Sequence, residues 1–327
     1  MTLRRMRALQ ISDLSGPDAV KAADVAEPAS DTDVVIEVRA AAVSFPDVLQ
    51  SRGLYQYKPD LPFVPGAEVA GTVRSAPDGS GLAPGDRVAA LTLLGGMAEV
   101  AVAPAHLTFK LHEALDFAQG AALVMNYHTA YFALKLRGRL REGERILVHG
   151  AAGGVGTATL QVATGLGATS VAVVSSDEKE RVARECGAAE VVRSDGPWLE
   201  QVKALGGVDL VLDPVGGDRF LDSLRSLKED GRLVVVGFTG GAIPEVKVNR
   251  LLLRNLEVIG AGWGAYAIPK PELDREIGAA LDAMIDAGVV RPLVGARFPL
   301  DQAADALRLI EERRAVGKVV LELDKTV

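Results

Sequence analysis

The spacing of apolar positions gives the chain three textures. Up to about residue 120 the apolar runs are short. In Val34–Ala40, Val34, Ile36 and Val38 alternate with Val35, Glu37 and Arg39, the period of a half-buried strand. Glu68–Val73, Arg87–Ala90 and Met97–Val102 read as further strands, set apart by turn signals at Pro65-Gly66, Pro77-Asp78-Gly79 and Pro84-Gly85-Asp86. Short strands with Gly/Pro turns predict a small barrel-like or sandwich domain. From Asp116 to Arg137 the pattern is long, rich in Ala and Leu, and helical in period. Strands at Arg145–His149, Ser170–Val174, Val208–Leu212 and Leu233–Val236 then alternate with helices at Thr157–Leu166, Asp177–Cys186 and Arg219–Leu227. Continuous apolar strands alternating with helices predict a parallel sheet covered on both faces. Beyond residue 270, helices at Pro271–Ala287 and Asp301–Arg313 precede a closing strand at Lys318–Glu322.

Composition narrows the chemistry. Among 327 residues there is one cysteine, Cys186, which excludes an intrachain disulfide framework and a cysteine-rich metal site. The histidines His106, His112, His128 and His149 show no H-x-x-x-H spacing. The formal net charge of −7 gives no electrostatic reason to bind nucleic acid or anionic lipid. No apolar run approaches the ~18 residues a membrane helix needs, and Met1–Leu9 lacks the apolar core of a secretory signal. A cytoplasmic location is the expectation. The 35 glycines are about 11% of the chain against a usual ~7%.

Part of that excess lies in Gly150-Ala-Ala-Gly153-Gly154-Val155-Gly156, between the strand at 145–149 and the helix at 157–166. Glycines there let the backbone turn tightly and approach a pyrophosphate, which the helix N-terminus then attracts. The alternative is a tight turn without a ligand. At the end of the next strand an NAD site would place a carboxylate. Here stand Ser175 and Ser176, with Lys179 and Arg193 nearby, a set suited to a 2′-phosphate. Asp177 is the competing ribose ligand, although its place suits the first turn of a helix better. NADPH is the expected cofactor. Tyr131 and Lys135 match Y-x-x-x-K, but they precede the glycine loop and read as core tyrosine and surface lysine. Cys186 reads as a packed apolar residue rather than a nucleophile.

Taken in order, several segments resemble the medium-chain dehydrogenase/reductase superfamily, in its zinc-free, zeta-crystallin-like quinone oxidoreductase branch. They are Val43-Ser-Phe-Pro-Asp47, Arg52-Gly-Leu-Tyr55, Pro62–Gly71, Pro84-Gly-Asp-Arg-Val88, Gly95-Gly-Met-Ala-Glu99, Gly150–Gly156, Asp213-Pro-Val-Gly-Gly217, Gly231–Phe238 and Gly317-Lys-Val-Val320. The resemblance implies an α/β architecture. A GroES-like β-rich catalytic domain (residues 1–120) is followed by an inserted Rossmann domain with a doubly wound parallel sheet (121–265), and residues 266–327 return to the first domain. It also implies that Ser44, Ala67 and Met125 occupy the positions where the zinc-dependent branch binds its catalytic metal. A hydroxyl, a methyl and a thioether make no zinc site, so no metal is expected.

Hydride transfer without a Lewis acid needs an acceptor that is already electrophilic, a quinone or an α,β-unsaturated carbonyl compound. The resemblance places Tyr55 at the cleft, Ser44 where asparagine is more usual, and Thr129 near the nicotinamide amide. Gly237 and Phe238 offer backbone groups to the nicotinamide. Asn126, Ser194, Trp263 and Tyr57 are weaker carry-overs. The leading expectation is NADPH-dependent reduction of quinones or other activated acceptors, with an enoyl-thioester or enone reductase as the alternative. A different class, an NADPH-binding structural or RNA-regulatory protein without turnover, fits the acidic balance poorly. A small-molecule acceptor, no nucleic-acid or membrane partner, and a homodimer complete the expectation.

Overall fold

The computed structural model describes residues 4–267 and 269–323. Residues 1–3, 268 and 324–327 lie outside the described residues, and with them the start of the segment tested for a signal and parts of the expected first and last domain spans. The chain runs β1 (Arg5–Ile11), β2 (Val20–Ala26), β3 (Val34–Val43), α1 (Phe45–Ser51), β4 (Glu68–Ser75), β5 (Arg87–Leu91), β6 (Val100–Ala103), β7 (Thr108–Lys110), α2 (Phe117–Ala121) and α3 (Val124–Tyr131). It continues with β8 (Arg145–Val148), α4 (Gly154–Gly165), β9 (Thr169–Val174), α5 (Asp177–Glu185), β10 (Glu190–Arg193), α6 (Trp198–Ala204), β11 (Val208–Asp213) and α7 (Phe220–Ser226). Then come β12 (Leu227–Val235), α8 (Asn249–Leu252), β13 (Glu257–Gly260), α9 (Trp263–Ala267) and α10 (Pro271–Asp286). The last elements are β14 (Val294–Pro299), α11 (Ala303–Glu311) and β15 (Lys318–Glu322). The architecture is α/β, with a β-rich part and a Rossmann-like parallel sheet, as expected.

Two compact units share this chain: Met1–Met125 with Pro292–Val327, and Asn126–Arg291. The first holds a seven-stranded sheet, order β14-β15-β3-β4-β5-β7, with β6 also paired to β3. Strand β3 is more deeply buried than its alternation predicts. Ile36 and Val38 join the main core with Val69, Val88, Met97 and Leu321, while Val35 packs with Met6, Ala8, Ala98 and Val100 in a second cluster. Both faces of β3 are therefore covered. The sequence reading missed β1 and β2, which pair antiparallel with Arg5 opposite Ala26 and Ile11 opposite Val20. In β1 the exposed Arg5 and Arg7 alternate with the buried Met6 and Ala8, the period of a half-buried strand.

The second unit holds a parallel six-stranded sheet, order β10-β9-β8-β11-β12-β13. Ile146, Leu147, Val148, Leu210, Val211 and Leu212 are fully buried, as central parallel strands require. Strand order reverses between β8 and β11, and α/β sheets bind ligands beyond the strand ends at such a point.

Helix α10 packs within this unit, although the sequence reading gave residues 266–327 to the returning segment. A Cβ built on Gly165 would lie 2.7 Å from Met284 Sδ. Arg291 N–H donates to Gln161 Oε1 at 2.8 Å, and Gln161 Nε2 donates back to the Arg291 carbonyl at 3.0 Å. The continuous helix expected over 116–137 is also broken, into α2, α3 and a π-helical stretch, Phe132–Arg137. The cause is tertiary. The buried Glu68 carboxylate accepts the N–H groups of Val124 and Met125, the latter at 2.9 Å, and so caps a new helix start. Further on, Gly138 N–H reaches the Ala133 carbonyl at 2.8 Å, the wider π spacing. Among the described residues no helix is long and apolar enough to cross a membrane.

Candidate active site

The glycine loop leaves the C-terminal end of β8, beside the point of strand reversal. Gly150 has φ +58°, a conformation side chains disfavour. Gly153 is the N-cap of the 12-residue helix α4. A Cβ on Gly156 would lie 2.2 Å from the Gly150 carbonyl oxygen and 2.6 Å from Ala151 Cα. The loop is thus folded tightly onto its own backbone. The first-turn N–H groups of Gly154, Val155 and Gly156 lack intrahelical acceptors, so the loop presents free donors to an anion with the positive end of a helix behind them. Buried Asn126 supports it, since a Cβ on Gly154 would meet Asn126 Nδ2 at 2.6 Å.

The adjacent strand end gathers the four residues read as a 2′-phosphate set. Ser175 is exposed past β9, and Lys179 Nζ donates to its hydroxyl at 3.2 Å. Arg193 is the last residue of β10. Its Nη2 donates to the Ser175 carbonyl at 3.1 Å, and its Nη1 to Asp177 Oδ1 at 2.5 Å. Ser176 caps α5, its hydroxyl oxygen accepting Lys179 N–H at 3.3 Å. Asp177 opens that helix, and its fully exposed carboxylate is occupied by Arg193. Two cations and an exposed hydroxyl can hold a phosphate there, and Asp177 competes with it for Arg193.

Gly237 and Phe238 follow β12 at the same edge of the sheet. Several bonds join the loops after β11 and β12, among them Thr239 N–H to the Pro214 carbonyl at 3.0 Å and Gly240 N–H to the Val215 carbonyl at 2.8 Å. Thr129 is buried on α3. Trp263 is buried as well, donating Nε1–H to Asp274 at 3.0 Å, and Ser194 N–H donates to the Val174 carbonyl at 2.8 Å. Tyr131 is buried and Lys135 exposed. Cys186 is buried, 3.7 Å from Gln161 Nε2, and burial pushes its thiol pKa up.

His149, at the mouth of β8, resembles part of a Ser–His–Asp triad. Its Nε2 lies 2.8 Å from Ser223 Oγ, and the nearby Asp213 charge acts on the ring. Ser223, however, is fully buried and donates its hydroxyl to the Arg219 carbonyl at 2.9 Å. Asp213 Oδ1 accepts the N–H groups of Val215 and Gly216, both at 2.9 Å. The group braces the loop ends and presents no nucleophile. Burial lowers the His149 pKa to about 4, against the opposing pull of Asp213.

In the first unit, Ser44 is the N-cap of α1. Its N–H donates to Asp47 Oδ2 at 2.7 Å, while Gly66 N–H donates to Asp47 Oδ1 at 3.2 Å. Burial raises the Asp47 carboxyl to about 6 despite these bonds. Tyr55 is half-buried on the loop after α1. Burial and the Asp47 charge both raise its pKa, so it stays a protonated donor. Tyr57 is exposed. Sequence reasoning missed the partners of Ser44. Buried Lys318 donates Nζ–H to Ser44 Oγ at 2.8 Å and pairs with Glu68 Oε2 at 2.9 Å. Burial raises the Glu68 carboxyl, with Lys318 opposing. Lys318 lies inside the quoted motif Gly317-Lys-Val-Val320, and a lysine opening the apolar closing strand expected at 318–322 is the signal that could have found it.

Ser44, Ala67 and Met125 are drawn to one place. Ser44 and the Met125 N–H meet Lys318 and Glu68 respectively, and Ala67 precedes Glu68. None supplies a good zinc donor. Among the described residues no group of three or more His, Cys, Asp or Glu side chains is placed to hold a metal ion.

Comparison with known proteins agrees with this geometry. Residues 30–113 match the alcohol dehydrogenase GroES-like domain, and residues 154–278 match the zinc-binding dehydrogenase model. Quinone oxidoreductase-like protein 2 of Bos taurus is 38% identical, over 98% of this chain and 93% of its own length. The crystal structure of a probable oxidoreductase from Mycobacterium abscessus is 43% identical with a TM-score of 0.90, covering 98% of this chain and 99% of that one. The quinone oxidoreductase of Thermus thermophilus, solved also as its NADPH complex, is 36% identical with a TM-score of 0.84, covering 97% and 100%. With full-length relatives at this identity and both family domains in sequence order, the chain belongs to the medium-chain dehydrogenase/reductase superfamily, in its quinone oxidoreductase branch.

Proposed function

We propose that this protein is an NADPH-dependent oxidoreductase that reduces quinones or other activated α,β-unsaturated acceptors by direct hydride transfer, without zinc. The carrying observation is the end of β9, where Ser175, Lys179 and Arg193 gather and Arg193 pairs with the nearby Asp177 carboxylate. The NADPH complex of the Thermus thermophilus relative supports the same cofactor. NADPH would supply the hydride. The loop Gly150–Gly156 holds its diphosphate, and the Ser175 set holds its 2′-phosphate. Thr129, Gly237 and Phe238 line the nicotinamide end. Ser44 and Tyr55 donate hydrogen bonds to the acceptor oxygen as charge builds on it. Zinc independence rests on the chemistry of Ser44, Ala67 and Met125, none of which suits a catalytic metal.

Steady-state rates with a panel of quinones and enones test the reading. NADPH should be oxidised with at least one acceptor, with a Michaelis constant well below that for NADH. Replacing Lys179 and Arg193 together by glutamine should narrow the NADPH preference by roughly tenfold to a hundredfold, as expected for losing charge-assisted phosphate contacts. Preference for NADH in the unaltered protein would overturn the cofactor assignment. Product analysis separates quinols from the saturated carbonyls of an enone or enoyl-thioester reductase.

A homodimer in the cytoplasm belongs to the same proposal. Strand β13 is an edge of its sheet, and around it Val248, Leu252 and Leu253 are 72%, 77% and 79% exposed. An unpaired strand edge, with exposed apolar residues on the short helix α8 that precedes it, suits a second copy of the chain. Light scattering should give twice the chain mass, and Leu252→Asp with Leu253→Asp should yield monomers. A wild-type monomer at micromolar concentration would refute it.

A further inference from the structure

Lys318 is 4% exposed and opens β15. Antiparallel pairing of Val319 with Val43 sets it opposite Ser44, the first residue past β3. Its Nζ lies 2.8 Å from Ser44 Oγ and 2.9 Å from Glu68 Oε2. An ammonium has hydrogens to give and no lone pair to offer. Ser44 Oγ is therefore the acceptor in the bond with Lys318, and the hydroxyl proton points away from that lysine. The Ser44 N–H is committed to Asp47 at 2.7 Å. Ser44 itself is partly exposed, whereas Lys318 and Glu68 are buried. Backbone and oxygen are thus both held from the protein side, leaving the O–H as a donor facing outward. Because Glu68 balances the lysine charge at close range, the ammonium acts on an incoming anion mainly through the hydroxyl it polarises.

We propose that Lys318 is a positioning residue for acceptor reduction: it holds Ser44 as an outward hydrogen-bond donor to the acceptor's carbonyl oxygen, where negative charge grows as hydride arrives. The inference rests on the reductase reading above. Lys318 transfers no proton in this scheme and touches no substrate. Glu68 serves by fixing the ammonium, and its other oxygen is held by Met125 N–H at 2.9 Å.

A double-mutant cycle separates positioning from simple structural support. Ser44→Ala should lower kcat about 100-fold, the range for losing one donor to a developing oxyanion. Lys318→Met combined with Glu68→Gln, which removes both members of the ion pair and leaves Asp47 held by the Ser44 and Gly66 N–H groups, should lower kcat about tenfold. Adding that pair of changes to Ser44→Ala should cost nothing more, because the donor they aim is already gone. The NADPH dissociation constant should stay within threefold throughout. Lys318→Arg, which keeps a donor and a positive charge, should recover most of the rate and provides a second route if the Met/Gln protein folds poorly. Additive losses, or a Ser44→Ala enzyme with wild-type kcat, would overturn the proposal while leaving the reductase reading intact. Failure of the wild-type protein to reduce any quinone or enone would overturn both.

Discussion

Gly156→Val is expected to raise the NADPH dissociation constant by about two orders of magnitude, or roughly 3 kcal/mol. The clash is with backbone on both nearby sides: a Cβ would stand 2.2 Å from the Gly150 carbonyl oxygen, 2.6 Å from Ala151 Cα and 2.7 Å from the Ala151 carbonyl carbon. A flexible side chain could rotate away, but these atoms cannot move without shifting the whole loop. Opening the loop moves the start of α4 and misdirects the first-turn N–H groups that face the diphosphate. Valine adds branching at Cβ and so worsens the fit. Quenching or enhancement of NADPH fluorescence on titration measures the constant directly. A valine variant that binds within threefold of wild type would show that this loop does not hold the cofactor.

The largest stability effect is expected in acid. His128 and His149 are both buried in the second unit, and burial lowers their pKa values to about 3 and about 4. An unfolded histidine titrates near 6.5, so the unfolded chain binds more protons than the folded one below that pH. Stability is then full above about pH 6.5 and falls as the pH drops towards 4. At about 1.4 kcal/mol per pKa unit, the two histidines together contribute on the order of 8 kcal/mol by pH 3. Asp47 works in the opposite sense. Its folded pKa of about 6 exceeds the unfolded value, so acidification from pH 6 to 4 stabilises the first unit by about 2 kcal/mol. The acid loss therefore falls on the second unit. Urea melts between pH 7 and pH 4 should show a falling midpoint, with a shallower slope in His128→Gln and His149→Gln proteins. Hydrogen exchange at pH 4.5 should find the first openings within Asn126–Arg291. A midpoint that holds level or rises on acidification would refute the assignment.

The parts legible in the sequence are those whose causes are local. The strand–glycine loop–helix of residues 145–165 is encoded by neighbours in the chain, and so is the Ser175–Ser176 strand end. The closing strand Lys318–Glu322 is readable from its own apolar and charged neighbours. What escapes depends on distant partners. Nothing in residues 116–137 shows that a helix restarts at Val124, because the cap is Glu68, 57 residues upstream of Met125. The role of Lys318 is equally hidden, since Ser44 lies 274 residues away. Strand β1 is the exception, since its signal is local: Arg5 and Arg7 alternate with Met6 and Ala8, the period of a half-buried strand. The candidate Ser44 comes from resemblance, yet the atoms that aim it are supplied by register between β15 and β3.

That register has a consequence for the order of synthesis. Strand β15 lies inside its sheet, between β14 and β3, not at the edge. The second unit, Asn126–Arg291, is contiguous and is synthesised before Lys318 is made. During translation it can close on its own, while the Ala40–Val43 end of β3, beyond its pairing with β6, waits for β15 and the Glu68 carboxylate stands without its counter-ion. The first unit to be synthesised is thus the last to be completed, and its final step also brings the ammonium to Ser44.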